Sequence, residues 1–113
     1  MGPGNRAASL SQARGITAQA PAPRRRMLRY EVGIDVPVTH CLTGSPVHVG
    51  AMACGSGVEF WAEHDEAEPE RRRTFQVFGT GHVLPDGAWW AGTAPRTPAG
   101  LVWHLYEIEP ADG

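Results

Sequence analysis

Five histidines are the first residues of this sequence on which a metal site could be built: His40, His48, His64, His82 and His104. Imidazole and carboxylate groups are common ligands of zinc and related metals. The spacing contains no HxH or HxxxH pair, so a metal site would have to be assembled in three dimensions. The set we consider is His48, Glu59, His82 and His104, in a small cupin-like metal-dependent enzyme. The spacing favours ordinary polar or hydrogen-bonded strand residues instead, and we predict no metal and no cofactor.

The sequence gives little support for nucleophilic or acid-base catalysis. There is no GxSxG motif, and Cys41 directly follows His40, so on a strand the two side chains point to opposite faces. Glu59 and Glu63 flank Trp61 on one strand face, an arrangement typical of a solvated surface rather than of paired catalytic carboxylates. We predict no catalytic residue and favour a protein without enzymatic activity, although the sequence leaves the enzyme question open.

The run Gly79-Thr80-Gly81 resembles a phosphate-binding loop only superficially. Such loops need a helix whose first amides face the anion, and residues 82–91 contain Pro85 and Gly87, which indicate a turn and a strand. The dipeptide Gly-Thr occurs again at positions 92–93, but two residues are too short to signify an internal duplication.

Aromatic placement is the most informative feature, with four tryptophans in the chain. We expect 58–64 and 73–79 to be the two arms of one hairpin, with Trp61 and Phe78 on its outward face. The other face of this hairpin is already apolar. A second layer covers these side chains, or they form an exposed patch that binds a partner. Trp61, Phe78 and Trp89 are therefore the candidate binding residues.

The elements that must position these side chains have the period of two that is typical of strands. Leu28, Tyr30, Val32 and Ile34 alternate with polar residues or glycine, and residues 47–52 alternate likewise before a glycine-containing turn at 53–57. Residues 101–108 are apolar on both faces, which predicts a central strand. No window has helical periodicity. The sequence predicts an all-β fold of six to seven short antiparallel strands, in a small sandwich or barrel.

The 113 residues allow one small domain. Residues 1–26 are rich in Ala, Gly, Ser, Pro and Gln, and we expect a disordered Arg-containing tail there. The β domain is predicted over 27–109, with a disordered C-terminus at 110–113. Met27 immediately precedes the first strand pattern, so an alternative is that translation begins at Met27.

Charge is distributed unevenly along the chain. Residues 1–26 hold five of the ten arginines and no acidic residue, whereas the remainder holds five arginines and all twelve acidic residues. An acidic domain repels the phosphate backbone, so we expect no nucleic-acid binding except through the tail. No segment has the pattern of a signal peptide or membrane span, which predicts a cytoplasmic protein with free thiols at Cys41 and Cys54.

The segments RYEVGIDVP, VHVGA, VEFWAE and RTFQVFGTGHVLPDGAWWAGTAPRTPAGLVWHLYE together resemble a family of short uncharacterised proteins of actinobacteria and their phages. The resemblance covers residues 28–108 and rests mainly on FGTG, a P-x-G turn, a second Gly-Thr and VWHLYE. It implies a phage-related setting and carries over no catalytic residue. Our leading hypothesis is a non-enzymatic protein-binding or assembly module with a protein partner or a homo-oligomeric state. The metal-dependent enzyme and nucleic-acid contact through the tail are the alternatives.

Overall fold

The computed structural model describes residues 24–110, which form seven antiparallel strands. The predicted all-β class is confirmed. The strands are β1 (Arg25–Gly33), β2 (Val38–Leu42), β3 (Pro46–Ala51), β4 (Gly57–Asp65), β5 (Arg71–Gly79), β6 (Trp89–Thr93) and β7 (Trp103–Ile108). The disorder predicted for the tail and the C-terminus falls largely outside the described residues. Within the described part of the chain, no helix is long and apolar enough to cross a membrane.

The strands form two sheets packed face to face, so the architecture is a sandwich rather than a barrel. Sheet 1 has the order β1-β4-β3, and sheet 2 has the order β2-β5-β7-β6. Strand β7 lies inside sheet 2 between β5 and β6, as its apolar residues on both faces predicted. The predicted turn between β3 and β4 is also present, closed by a hydrogen bond from the Gly55 amide to the Met52 carbonyl.

The hairpin predicted from β4 and β5 is wrong. The two strands follow each other in the chain, but β4 pairs with β1 and β3 whereas β5 pairs with β2 and β7. Alternation shows that each strand has one apolar face. This pattern fits two paired strands of a hairpin and two strands packed on each other across a core equally well. The charged loop between them therefore crosses from one sheet to the other.

The core fills the space between the two sheets. It consists of Val32, Leu42, Val49, Val58, Phe60, Ala62, Phe75, Val77, Ala94 and Leu105. At its centre the ring of Phe60 from sheet 1 lies 4.9 Å from that of Phe75 in sheet 2, and Tyr30 stacks on Phe60 at 5.1 Å. These residues occupy alternate positions on their strands, so one face of each sheet is buried and the other, the outer face, carries the remaining side chains.

The sheets approach most closely where β3 faces β6. A Cβ atom at Gly92 would overlap the side chain of Val49, so the backbone of β6 lies directly on this valine. The ladder between β6 and β7 also shifts register between Trp90 and Gly92, which is a bulge. Gly92 therefore permits the two edge strands to meet and close one side of the sandwich.

We predict that Gly92→Ala lowers the free energy of unfolding by about 1–3 kcal/mol, because the added methyl group overpacks the contact with Val49. Gly33→Ala is the matched control, since its nearest non-neighbouring atom would be 3.9 Å from the new Cβ. We expect the control to change stability by less than about 0.5 kcal/mol. Urea denaturation measures both, and equal effects of the two substitutions would contradict this account of Gly92.

Arg73 on β5 ties together one end of the sandwich. Its guanidinium donates to both carboxylate oxygens of Glu107 on β7, at 2.9 and 2.7 Å, and to the carbonyl of Gly44 at 2.8 Å. Gly44 lies in the short connection that carries the chain from β2 in sheet 2 to β3 in sheet 1. The Arg73 and Glu107 side chains are only 16% and 13% exposed, and the pKa of Arg73 is raised by its hydrogen bonds to Glu107.

We predict that Arg73→Gln destabilises the domain by about 2–4 kcal/mol, because it leaves the Glu107 carboxylate mostly buried without its cation. Arg25→Gln removes the same charge from an ion pair with Glu63 whose side chains are 66% and 49% exposed. Such exposed pairs contribute about 0–1 kcal/mol, so this control should change little. Thermal unfolding followed by circular dichroism compares them, and similar losses for both variants would show that Arg73 has no special role.

The first strand begins two residues before the predicted domain start at Met27. Arg25 and Arg26 pair with Asp65 and His64 in the β1-β4 ladder. The same two arginines make ion pairs with Glu63 and Glu66. They therefore belong to the domain, and the described residues carry eight arginines and eleven acidic residues.

Candidate functional site

The three aromatic residues proposed as a binding patch lie in three different places. Trp61 is half-buried on the outer face of sheet 1, where its ring is 5.3 Å from that of His48. Phe78 belongs to sheet 2 and is only 8% exposed. Trp89 lies on the edge strand β6 and is 56% exposed. The single patch expected from the β4-β5 hairpin is therefore absent from the described structure, because those strands belong to opposite sheets.

Phe78 is buried although it lies on the outer face of sheet 2. Its ring makes an edge contact with Tyr106 at 5.8 Å, and both rings line a small cavity of about 160 Å³ together with Leu84. Leu84 belongs to the glycine-containing connection between β5 and β6. This connection supplies the covering layer that was considered as the alternative to an exposed patch.

The four residues considered for a metal site are not brought together. His48 and Glu59 are on strands of sheet 1, whereas His104 is on β7 of sheet 2 and His82 follows β5. Glu59 accepts a hydrogen bond from Arg29, and the Nδ1 atom of His82 accepts one from the Gly79 amide. No group of three or more potential metal ligands occurs among residues 24–110. The metal-enzyme alternative thus loses the constellation on which it depended.

His104 is instead the centre of a chain of side-chain hydrogen bonds on sheet 2. Its Nε2 atom lies 2.8 Å from Oγ1 of Thr80, and its Nδ1 atom lies 2.9 Å from Oγ1 of Thr93. The indole Nε1 of Trp90 donates to the same Thr93 oxygen at 2.8 Å. We call these four residues, Thr80, Trp90, Thr93 and His104, the His104 network.

The donor is fixed for the hydrogen bond between Trp90 and Thr93, whereas the directions of the two His104 hydrogen bonds depend on its tautomer. The indole nitrogen of Trp90 only donates, so the Thr93 oxygen accepts from it. When Thr93 donates its own proton to Nδ1 of His104, the other ring nitrogen carries a proton and donates to Thr80. This arrangement gives every polar atom of the network a partner. In the other tautomer, Nδ1 of His104 donates to Thr93 and Nε2 accepts from Thr80, and both ring nitrogens again have a partner.

The physical result of the network is an exposed tryptophan in a fixed orientation. Trp90 is 60% exposed, and its indole is connected by side-chain hydrogen bonds through Thr93 to His104 on β7 and on to Thr80 after β5. An exposed side chain without a partner samples several rotamers and loses that freedom on binding. Trp90 has lost part of this freedom before any partner arrives.

Sequence reasoning missed this arrangement, although its signals are present. The two Gly-Thr dipeptides supply Thr80 and Thr93, which bind the two ring nitrogens of one histidine. These dipeptides and VWHLYE, which contains His104, also carry the family resemblance. Nothing in the spacing of these segments shows that the two threonines meet across β7.

A second recess lies beside Trp61 on sheet 1. It has a volume of about 580 Å³ between the outer face of β3 and β4 and the segment that follows β6, and its lining includes Trp61, His48, Glu59 and Pro95. The indole of Trp61 lies near Gly50, where a Cβ would be 3.6 Å from the ring. Trp61 is thus packed on its own sheet, and its exposed area is smaller than that of Trp90.

The fold and these surfaces define a small all-β sandwich domain whose most exposed large aromatic side chains lie on an edge strand. A family model described as a domain of unknown function, DUF7352, matches residues 23–112. The chain belongs to this family. No curated protein and no solved structure matches the chain.

We predict that Thr93→Val frees the indole of Trp90, because valine offers no oxygen to accept its hydrogen bond. Thr93→Ser keeps that oxygen and is the matched control. Nuclear magnetic resonance relaxation of the Trp90 indole nitrogen should show a lower order parameter in the valine variant and an unchanged one in the serine variant. Identical order parameters in the two variants would contradict the role assigned to Thr93.

Proposed function

We propose that this domain is a non-enzymatic protein-binding module that docks its partner on the outer face of sheet 2 around Trp90. The observation that carries the proposal is the hydrogen bond from the Trp90 indole to Thr93 in a side chain that is 60% exposed. Tryptophan is enriched among residues that dominate protein interfaces, and rigid side chains lose less entropy on binding. The setting implied by the sequence resemblance is a phage-related protein in a bacterial cytoplasm, with a host factor or virion component as partner.

Neighbouring residues extend the surface around this anchor. Tyr106 is the cross-strand neighbour of Trp90, and Leu84 lines the adjacent cavity at 39% exposure. A tyrosine and a leucine beside a tryptophan form a mixed aromatic and aliphatic surface of the kind that partners cover. Strand β6 itself contains no charged residue, so covering it removes no ion from water.

The magnitude expected for Trp90 follows from its exposed area. A fully buried aromatic side chain removes roughly 150–250 Å² from water, so burying the exposed part of Trp90 contributes about 2–4 kcal/mol. This corresponds to about two orders of magnitude in a dissociation constant. Trp61 and Phe78 contribute less in this proposal, because they are already packed on their own sheets.

Photo-cross-linking in the native host tests the proposal. A photoreactive amino acid replaces Leu84, which leaves Trp90 in place, and the control replaces Val47, which is 64% exposed on β3 of sheet 1. We expect a discrete protein adduct from position 84 and none from position 47. The adduct should disappear in a Trp90→Ala background, because about two orders of magnitude in affinity are lost.

The mass of the adduct identifies the partner as another protein or as a second copy of this chain, and both fit a protein-docking surface. Thr93→Val should reduce the yield while Thr93→Ser retains it, since only the serine keeps the indole fixed. Equal labelling from positions 84 and 47, or an adduct that persists without Trp90, would refute the proposed surface.

A further inference from the structure

The other exposed tryptophan of β6 borders a cleft with a different chemical character. Trp89 lies across the ladder from Glu107, and the cleft of about 300 Å³ beside it is lined by Arg71, Arg72, Arg73, Trp89 and Glu107. We call it the Trp89 cleft. Three consecutive arginines at this point contrast with a described domain in which acidic residues outnumber arginines by eleven to eight.

The three arginines differ in what they bind. Arg73 is fully engaged with Glu107 and the connection at Gly44. Arg71 and Arg72 are exposed, and no carboxylate of the described residues lies within 4 Å of either guanidinium. The neighbouring Glu70 does not neutralise them in this way; its charge contributes to raising the pKa of Tyr30, after the larger effect of burial.

Most other arginines at the sandwich surface are paired within the domain. Arg25, Arg26 and Arg29 each lie 3.1 Å or less from a glutamate oxygen. Two guanidiniums that stay free while acidic residues are in excess form a local positive site. An exposed indole beside them offers an apolar surface for the stem of an incoming side chain, and planar guanidiniums bind carboxylates through paired hydrogen bonds.

We propose that the Trp89 cleft binds an acidic polypeptide segment, through carboxylates held by Arg71 and Arg72 and an aliphatic stem packed on Trp89. This inference rests on the proposed function and names the charge of the partner: the segment that reaches the cleft belongs to the protein docked around Trp90. Trp89 and Trp90 point to opposite sides of the edge strand β6, so a partner contacts both when it wraps around this edge of sheet 2.

A polypeptide fits the cleft better than a nucleic acid. The loop before β5 carries Glu66, Glu68 and Glu70, and a long polyanion that follows the arginines would meet this negative charge. A short run of carboxylates needs only the two free arginines. The volume of about 300 Å³ matches one or two side chains rather than a nucleotide chain.

Isothermal titration calorimetry with capped hexaglutamate tests the inference on the full chain. At an ionic strength of about 10 mM we expect measurable binding that weakens at about 150 mM, because salt screens exposed charges. The double variant Arg71→Gln, Arg72→Gln should weaken binding by about tenfold or more, the effect of losing two charge-assisted contacts. Trp89→Ala should also weaken it, since the stem loses its apolar surface.

The matched control is the double variant Arg25→Gln, Arg26→Gln, which changes net charge by the same amount at a different surface. We expect less than about twofold weakening from it, because those arginines belong to sheet 1, do not line the Trp89 cleft and bind glutamates of their own. Equal weakening by the two double variants would overturn the proposal by showing a general charge effect. Absence of hexaglutamate binding at low salt would overturn it as well.

The last comparison titrates a thymidine oligonucleotide that has the same net charge as hexaglutamate. If the oligonucleotide binds more tightly than hexaglutamate, and this binding is lost in the Arg71→Gln, Arg72→Gln variant, the polypeptide assignment is overturned in favour of nucleic acid.

If hexaglutamate binds as expected but position 84 forms no protein adduct, the acidic-segment site stands and the proposed function fails. If position 84 forms a protein adduct but hexaglutamate does not bind, the docking surface around Trp90 stands and the Trp89 cleft is not part of it. If the double variant does not fold, the single variants Arg71→Gln and Arg72→Gln replace it.

Discussion

Phe60 of sheet 1 packs on Phe75 of sheet 2 at a ring distance of 4.9 Å, and the rest of the structure depends on this contact between the sheets. Each sheet has one apolar face that is stable only when it is covered. Because β4 supplies Phe60 and β5 supplies Phe75, the two strands must face each other and cannot pair. The position of β5 in sheet 2 therefore determines which side chains, including Trp90, lie on the outer face of that sheet.

The outer face of sheet 2 combines the apolar contact of Phe78 and Tyr106 with the polar contacts of the His104 network. His104 reaches Thr80 after β5 and Thr93 at the end of β6, so one histidine joins the ends of three neighbouring elements. Trp90 uses the same threonine, and its indole is held without being buried. The domain therefore holds its most exposed tryptophan in place with hydroxyl groups and leaves the ring area available for a partner.

The sequence predicted the class of fold well because it has a strong period of two. The strands around Val32, Val49 and Phe75, and the interior position of β7, all follow from alternation and from the apolar character of both faces. Pairing between strands was harder, since alternation is the same for a hairpin and for two strands that face each other. That ambiguity placed Trp61 and Phe78 on one surface, whereas they lie on different sheets.

The candidate site was less accessible to sequence reasoning than the fold. Hydrogen bonds among Thr80, Thr93 and His104 join residues 11 and 24 positions apart, and no local pattern marks such a meeting. The exposed arginines at positions 71 and 72 begin β5 and have no carboxylate of the described residues within 4 Å. Their unpaired state emerged only once β5 was assigned to sheet 2.

The most direct test of the central claim, that an exposed tryptophan is held in place by the His104 network, compares the two tryptophans of β6. Trp89 and Trp90 are 56% and 60% exposed, so solvent reaches them almost equally. Hydrogen exchange of the two indole protons, followed by nuclear magnetic resonance, should be slower for Trp90, because its proton is bonded to Thr93. Equal exchange rates, or faster exchange at Trp90, would contradict the account.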